Sequence, residues 1–137
     1  MILADTGAVL ALIDADDKHH ALLRDLFLRE PQRWMLPWPI LAEVDYLLSS
    51  RVGTEAATAF LADLAAGAFV VEWGTASDLA RAHEITRKYH SLKMGLVDAV
   101  VLAMAERLRA EAIATLDLRH FGAVRLPKSM RLLPRDL

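Results

Sequence analysis

Short apolar runs alternate with longer amphipathic stretches along this chain, and that alternation leaves few architectures open. Ile2–Ala4, Trp34–Leu36, Phe69–Trp73 and Ala112–Leu116 are short enough to read as buried strands rather than helices, and Leu132–Leu133 is a last short candidate. Helical spacing marks Thr6 or Gly7 to Ile13, His19–Leu28, Glu55–Ala65, Ala76–Tyr89 and Leu96–Arg109, with Thr6 as a candidate N-cap of the first. A further helix opens near Pro39, which suits the first helical position, and carries Ile40, Leu41, Val44, Leu47 and Leu48 as an amphipathic stripe. Gly53 and Gly67 end the helices before them. Strands alternating with helices imply an α/β fold, a mainly parallel sheet covered on both faces. The chain has 137 residues and no repeat, low-complexity stretch or linker, so one domain over 1–137 is expected.

In such a sheet ligands bind outside the carboxyl ends of the strands. Asp5 and Asp117 each follow a predicted strand, and both are lone acids in apolar surroundings. Two more share that character. Glu43 is the only charge between Trp34 and Val44, and Asp98 is the only charge in MGLVDAVVLAMA, a helix apolar nearly all round. A buried, unpaired carboxylate costs several kcal/mol or stays protonated. Each acid taken singly also has an innocent reading: Asp5 as a helix cap, Glu43 and Asp98 as first-turn partners of a helix dipole, Asp117 as an Asx-turn residue. Taken together they are better explained by a divalent cation. Four carboxylates with no cysteine anywhere suit Mg²⁺ or Mn²⁺, which prefer oxygen ligands.

Absence of cysteine excludes a disulfide scaffold and a thiolate metal site. The opening MILADTGAVLALID lacks a basic segment and a small-residue cleavage pattern, which argues against a signal peptide. No apolar run reaches the ~18–20 residues of a membrane span, and a cytoplasmic location is expected. The hydrophobic fraction of 55% exceeds the usual ~45–50%, pointing to apolar surface covered by a partner. Net charge is −2, but cations are unevenly spread: four Lys/Arg against one acid over Arg81–Lys93, and five against one over Leu118–Leu137. These segments are either solvated surface or phosphate-gripping patches.

The ordered set ILADTGAVLALID, LAEVDYLL, GLVDAVVLAMAERL and TLDLRHF resembles the PIN-domain ribonucleases, specifically the VapC-type toxins of bacterial toxin–antitoxin pairs, over nearly the whole chain. The resemblance implies a PIN-like three-layer α/β/α fold and an acidic metal site of Asp5, Glu43, Asp98 and Asp117. It places Thr6 in the supporting hydroxyl position after the first acid. It further implies Mg²⁺- or Mn²⁺-dependent cleavage of RNA, a homodimer and a VapB-type antitoxin.

Other residues carry weaker signals. DADDKHH (14–20) reads as a solvated loop opening the second helix. Arg119 and His120 are candidates for RNA contact or for plain surface; His83 and His90 are surface residues or at most phosphate contacts. Asp45 faces away from Glu43 on one helix and is left out of the site. Trp34, Trp38, Tyr46, Leu47 and Leu48 are expected mostly in the core, with some free to form a groove for an antitoxin helix. A housekeeping RNA-processing nuclease of the same fold and a receiver-like signalling module are the competing readings. Receivers want a second acid beside the first strand-end acid and a later Lys, whereas Thr6 and Gly7 follow Asp5 here.

Overall fold

The computed structural model describes residues 1–137 and has a five-stranded, all-parallel sheet in the order β3-β2-β1-β4-β5. The strands are β1 (Ile2–Ala4), β2 (Trp34–Pro37), β3 (Val70–Glu72), β4 (Ala112–Ala114) and β5 (Arg131–Leu133). The helices are α1 (Thr6–Ile13), α2 (His20–Arg29), α3 (Pro39–Arg51), α4 (Thr54–Ala65), α5 (Ala76–Lys88) and α6 (Leu96–Arg107). The expected three-layer α/β/α arrangement is therefore present, and every expected element exists within a few residues of its sequence-based bounds.

Chain direction across the sheet reverses at β1. The first crossovers step outward from β1 to β2 and β3, and the chain then returns to the other side of β1 as β4 and β5. Right-handed crossovers place α1–α4 on one face and α5–α6 on the other. The crevice between the carboxyl ends of β1 and β4 is thus a topological switch point, where open α/β sheets bind ligands. Register seals it from below: Ala4 pairs with Ala114, and the Asp5 amide donates to the Ala114 carbonyl at 2.8 Å.

Burial follows the layers. Leu3, Ala4, Ile113 and Ala114 are fully buried in the central strands, which carry apolar residues on both faces as parallel strands must. In α6 every residue from Ala99 to Ala105 is buried, and its alanines allow close approach to the sheet and to α5. Trp34 and Leu48 are buried as expected, but Tyr46 is 69% exposed. It lies two residues from both Val44 and Leu48, which α3 turns inward, and two residues is half a turn, so its ring goes to solvent.

Asp78 anchors the second layer. Its side chain is buried, accepts the Thr75 amide at 2.9 Å at the start of α5, and is gripped by Arg107 Nε at 2.7 Å and Nη2 at 3.0 Å. The Arg107 guanidinium holds the Asp78 carboxyl below its ordinary range. Asp78→Ala should lower stability by about 2 kcal/mol, roughly 1 from the helix start and 1 from the pair to a partly exposed Arg, read by urea unfolding.

Candidate active site

Asp5, Glu43, Asp98 and Asp117 line one cleft of about 510 Å³ at the carboxyl edge of the sheet, together with Thr6, Leu47 and Arg51. Each reaches it from a different element. Asp5 is the residue after β1 and Asp117 lies on the turn after β4. Asp98 projects from the first turn of α6. Glu43 comes from α3, which already starts at Pro39, so Glu43 lies beyond the first turn and the helix-dipole explanation expected for it has no basis.

Asp5 is 5% exposed and sits at the N-cap position of α1 without a cap hydrogen bond, which removes the capping explanation. Its one close side-chain partner is Thr115, whose hydroxyl donates at 3.0 Å. Burial pushes the Asp5 carboxyl up to about 6, partly opposed by the Thr6 amide and reinforced by the nearby charge of Asp98 and Asp117. Asp98 is also raised, chiefly by burial, with Asp117 and Glu43 adding to the effect and His120 opposing it.

His120 Nδ1 lies 2.7 Å from Asp98 Oδ2 and 3.2 Å from Asp117 Oδ2, so the ring sits between two of the carboxylates rather than out on the surface. Asp117 Oδ1 accepts the His120 amide at 3.2 Å, so the turn role expected for Asp117 is present as well. Arg119 is exposed and makes no ion pair. Thr6 is not an N-cap. It is the first helical residue of α1, and its hydroxyl is buried without a hydrogen-bond partner.

These features suit a hard divalent cation. Metal-ligating atoms of Asp98, Asp117 and His120 lie within 4.8 Å of one another. Asp5 is desolvated among like charges, and Thr6, whose buried hydroxyl has no hydrogen-bond partner, lines the same cleft. All but one of these donors are oxygen, the set that Mg²⁺ and Mn²⁺ prefer.

Sequence reasoning overlooked two residues here. Thr115 orients Asp5 and also accepts the Asp117 amide at 3.0 Å, joining the two strand ends. Arg51 lies eight residues after Glu43 on the cleft side of α3 and makes no ion pair. The helical spacing Glu43-Leu47-Arg51 was the available signal. The loop of residues 14–19 stays local, with Asp14 and Asp17 accepting nearby amides, as a solvated loop should.

A second depression, of about 520 Å³, lies between α3, α4 and β3 and is almost wholly apolar, with Leu41, Phe60, Leu61, Leu64 and Trp73 on its walls and Asp45 at its margin. Leu61 and Trp73 are 62% and 70% exposed. No helix is long and apolar enough to cross a membrane.

The profile of the PIN domain matches residues 2–125. Ribonuclease VapC26 of Mycobacterium tuberculosis is 36% identical over 124 residues, which span 90% of this chain and 92% of that protein. The crystal structure of M. tuberculosis VapC20, a toxin that cleaves the sarcin–ricin loop, superposes with a TM-score of 0.81 at 25% identity, covering 92% of this chain and 97% of that one. The DNA-bound VapBC complex from Salmonella typhimurium shares the fold, with a TM-score of 0.71 at 19% identity over 96% of this chain and 95% of that one.

Proposed function

The chain belongs to the PIN-domain family and to its VapC ribonucleases, and from that premise we propose that it is the toxin of a toxin–antitoxin pair, an endoribonuclease that hydrolyses RNA phosphodiesters with Mg²⁺ or Mn²⁺ held by Asp5, Glu43, Asp98 and Asp117. The observation that carries this reading is the convergence of four carboxylates from four elements on one cleft at the switch point of the sheet. When bound there, a divalent ion supplies activation of water and neutralisation of charge on the phosphoryl group.

The chain's own residues supply position and environment. Thr115 fixes the Asp5 carboxylate, and His120 orients Asp98 by hydrogen bonding. Thr6, which lines the cleft with an unpartnered hydroxyl, supports the same centre in this reading. Arg51, free of acidic partners at the rim, holds nonbridging phosphate oxygens of the substrate. Arg51→Gln should raise KM for RNA about tenfold, the equivalent of roughly 1.4 kcal/mol, with a smaller change in kcat. Steady-state kinetics on one RNA measure both.

The apolar groove between α3 and α4 suits an amphipathic helix of a VapB-type antitoxin, which would cover Leu61 and Trp73. A homodimer acting in the cytoplasm completes the reading. The protein freed of antitoxin should cleave RNA with Mg²⁺ or Mn²⁺ and stop in EDTA. Undiminished cleavage in EDTA overturns the metal reading. Growth arrest on expression, relieved by a co-expressed antitoxin, separates a toxin from a housekeeping nuclease.

A further inference from the structure

The cations of the Arg81–Lys93 segment sort into two sets in the folded chain. Arg81 is taken up by Glu84 and Glu106, and Lys88 lies over the Tyr89 ring at 5.4 Å. The other set converges. His83 and Arg87 lie one turn apart on α5, His90 follows on the short turn after that helix, and Lys93, held in a left-handed conformation at φ 51°, lines the same cleft. Together with Thr86 and Met94 they bound a cleft of about 290 Å³ that no carboxylate lines. None of the four basic side chains makes a hydrogen bond or an ion pair, and all are exposed. An ordinary solvated helix face scatters its charges or pairs them; this one gathers them without a counter-charge.

The cleft is also connected. His83 and Thr86 form one end of an apolar furrow with Ala82, Ala99 and Val100, and Leu96 is shared between that furrow and the carboxylate cleft. Lys93 and Asp98 are five residues apart, a span of at most about 18 Å even for extended chain. One short stretch of a nucleic-acid strand can therefore lie over both. An apolar furrow between two polar ends is also a fitting bed for an unstacked base.

We infer that the cleft of His83, Arg87, His90 and Lys93 is a backbone-binding site that holds a phosphate of the RNA strand beside the one being cut. This inference rests on the ribonuclease reading above. It gives the protein a second hold on its substrate and fixes the direction in which the strand leaves the carboxylate cleft, across Leu96 and along the α5–α6 furrow.

The test uses the full chain carrying Asp98→Asn, so that RNA is bound but not consumed, and a short fluorescein-labelled single-stranded RNA of mixed sequence. Anisotropy titrations over a series of salt concentrations read affinity and its salt slope. Adding Arg87→Gln and Lys93→Gln should weaken binding about tenfold and reduce the slope by about 0.7 for each phosphate that is no longer neutralised. Arg87→Lys with Lys93→Arg, which keeps both charges, should restore the slope. Arg109→Gln with Arg131→Gln removes two charges at the opposite, amino edge of the sheet and should change the slope little. An unchanged slope in the Arg87/Lys93 variant, or an equal weakening in the amino-edge variant, overturns the site. If the wild-type chain cleaves RNA with Mn²⁺ while that variant binds as before, only this inference falls. If the chain neither binds nor cleaves RNA, the ribonuclease reading falls with it.

Discussion

Asp98→Asn should reduce RNA cleavage by about 10³-fold, some 4 kcal/mol of transition-state stabilisation, while raising the melting temperature of the metal-free protein. The two effects have one cause. Asp98 is mostly buried at the start of α6, close to the charges of Asp117, Glu43 and Asp5, and its carboxyl is raised by that burial. Without a cation, an ionised Asp98 is a liability to the fold. The amide keeps the shape, and its oxygen can still accept from His120, but it brings no charge to hold a divalent ion. A merely structural acid behaves in the opposite way: its removal lowers stability and leaves turnover per folded molecule intact. Initial rates with Mn²⁺ and thermal unfolding in EDTA decide between them. Cleavage within tenfold of wild type would remove Asp98 from the site.

In EDTA, Asp5 should make the wild-type protein lose stability as pH rises from about 3 to about 7, by roughly 3 kcal/mol relative to Asp5→Asn. Asp5 has its folded-state value raised from 3.8 to about 6. The folded protein therefore binds this proton more tightly than the unfolded chain does. Stability from this group is complete below the unfolded value and is lost as pH climbs through the folded one. Subtracting the variant's curve removes the acids that titrate in the other sense, such as Asp78, whose lowered value stabilises the fold above its ordinary range. Mn²⁺ should restore the lost stability above pH 6 and do little near pH 4, because protons and metal compete for the same carboxylates. Urea unfolding across the window, with and without Mn²⁺, measures both arms. A flat difference between wild type and Asp5→Asn would show that Asp5 ionises freely in the fold.

Both predictions concern acids that stand out in the bare sequence, because an isolated charge in an apolar run is anomalous wherever the run folds. The role of Glu43 was harder to see. Its nearness to Pro39 suggested a first-turn dipole partner, yet α3 starts at Pro39 as the sequence reads, and Glu43 falls past that first turn and lines the cleft. His120 reads as surface when taken with Arg119, yet the turn after β4 swings its ring between Asp98 and Asp117. Tyr46 reads as core by hydrophobicity and is exposed by phase. Arg51 and Thr115 carry no anomaly of their own, since a helix-terminal arginine and a strand-end threonine are ordinary in any α/β chain.

Local physics accounts for what the sequence alone determined. Apolar periodicity, glycine stops and a proline start depend on neighbours within a turn or two, so the order of strands and helices and the strand-end positions of Asp5 and Asp117 are readable from it. Strand order is different. It depends on which faces bury together and on the hand of each crossover, which couple residues far apart in the chain. Tertiary structure alone set β4 beside β1, brought Asp98 and Glu43 over that seam, and gathered His83, Arg87, His90 and Lys93 around one cleft.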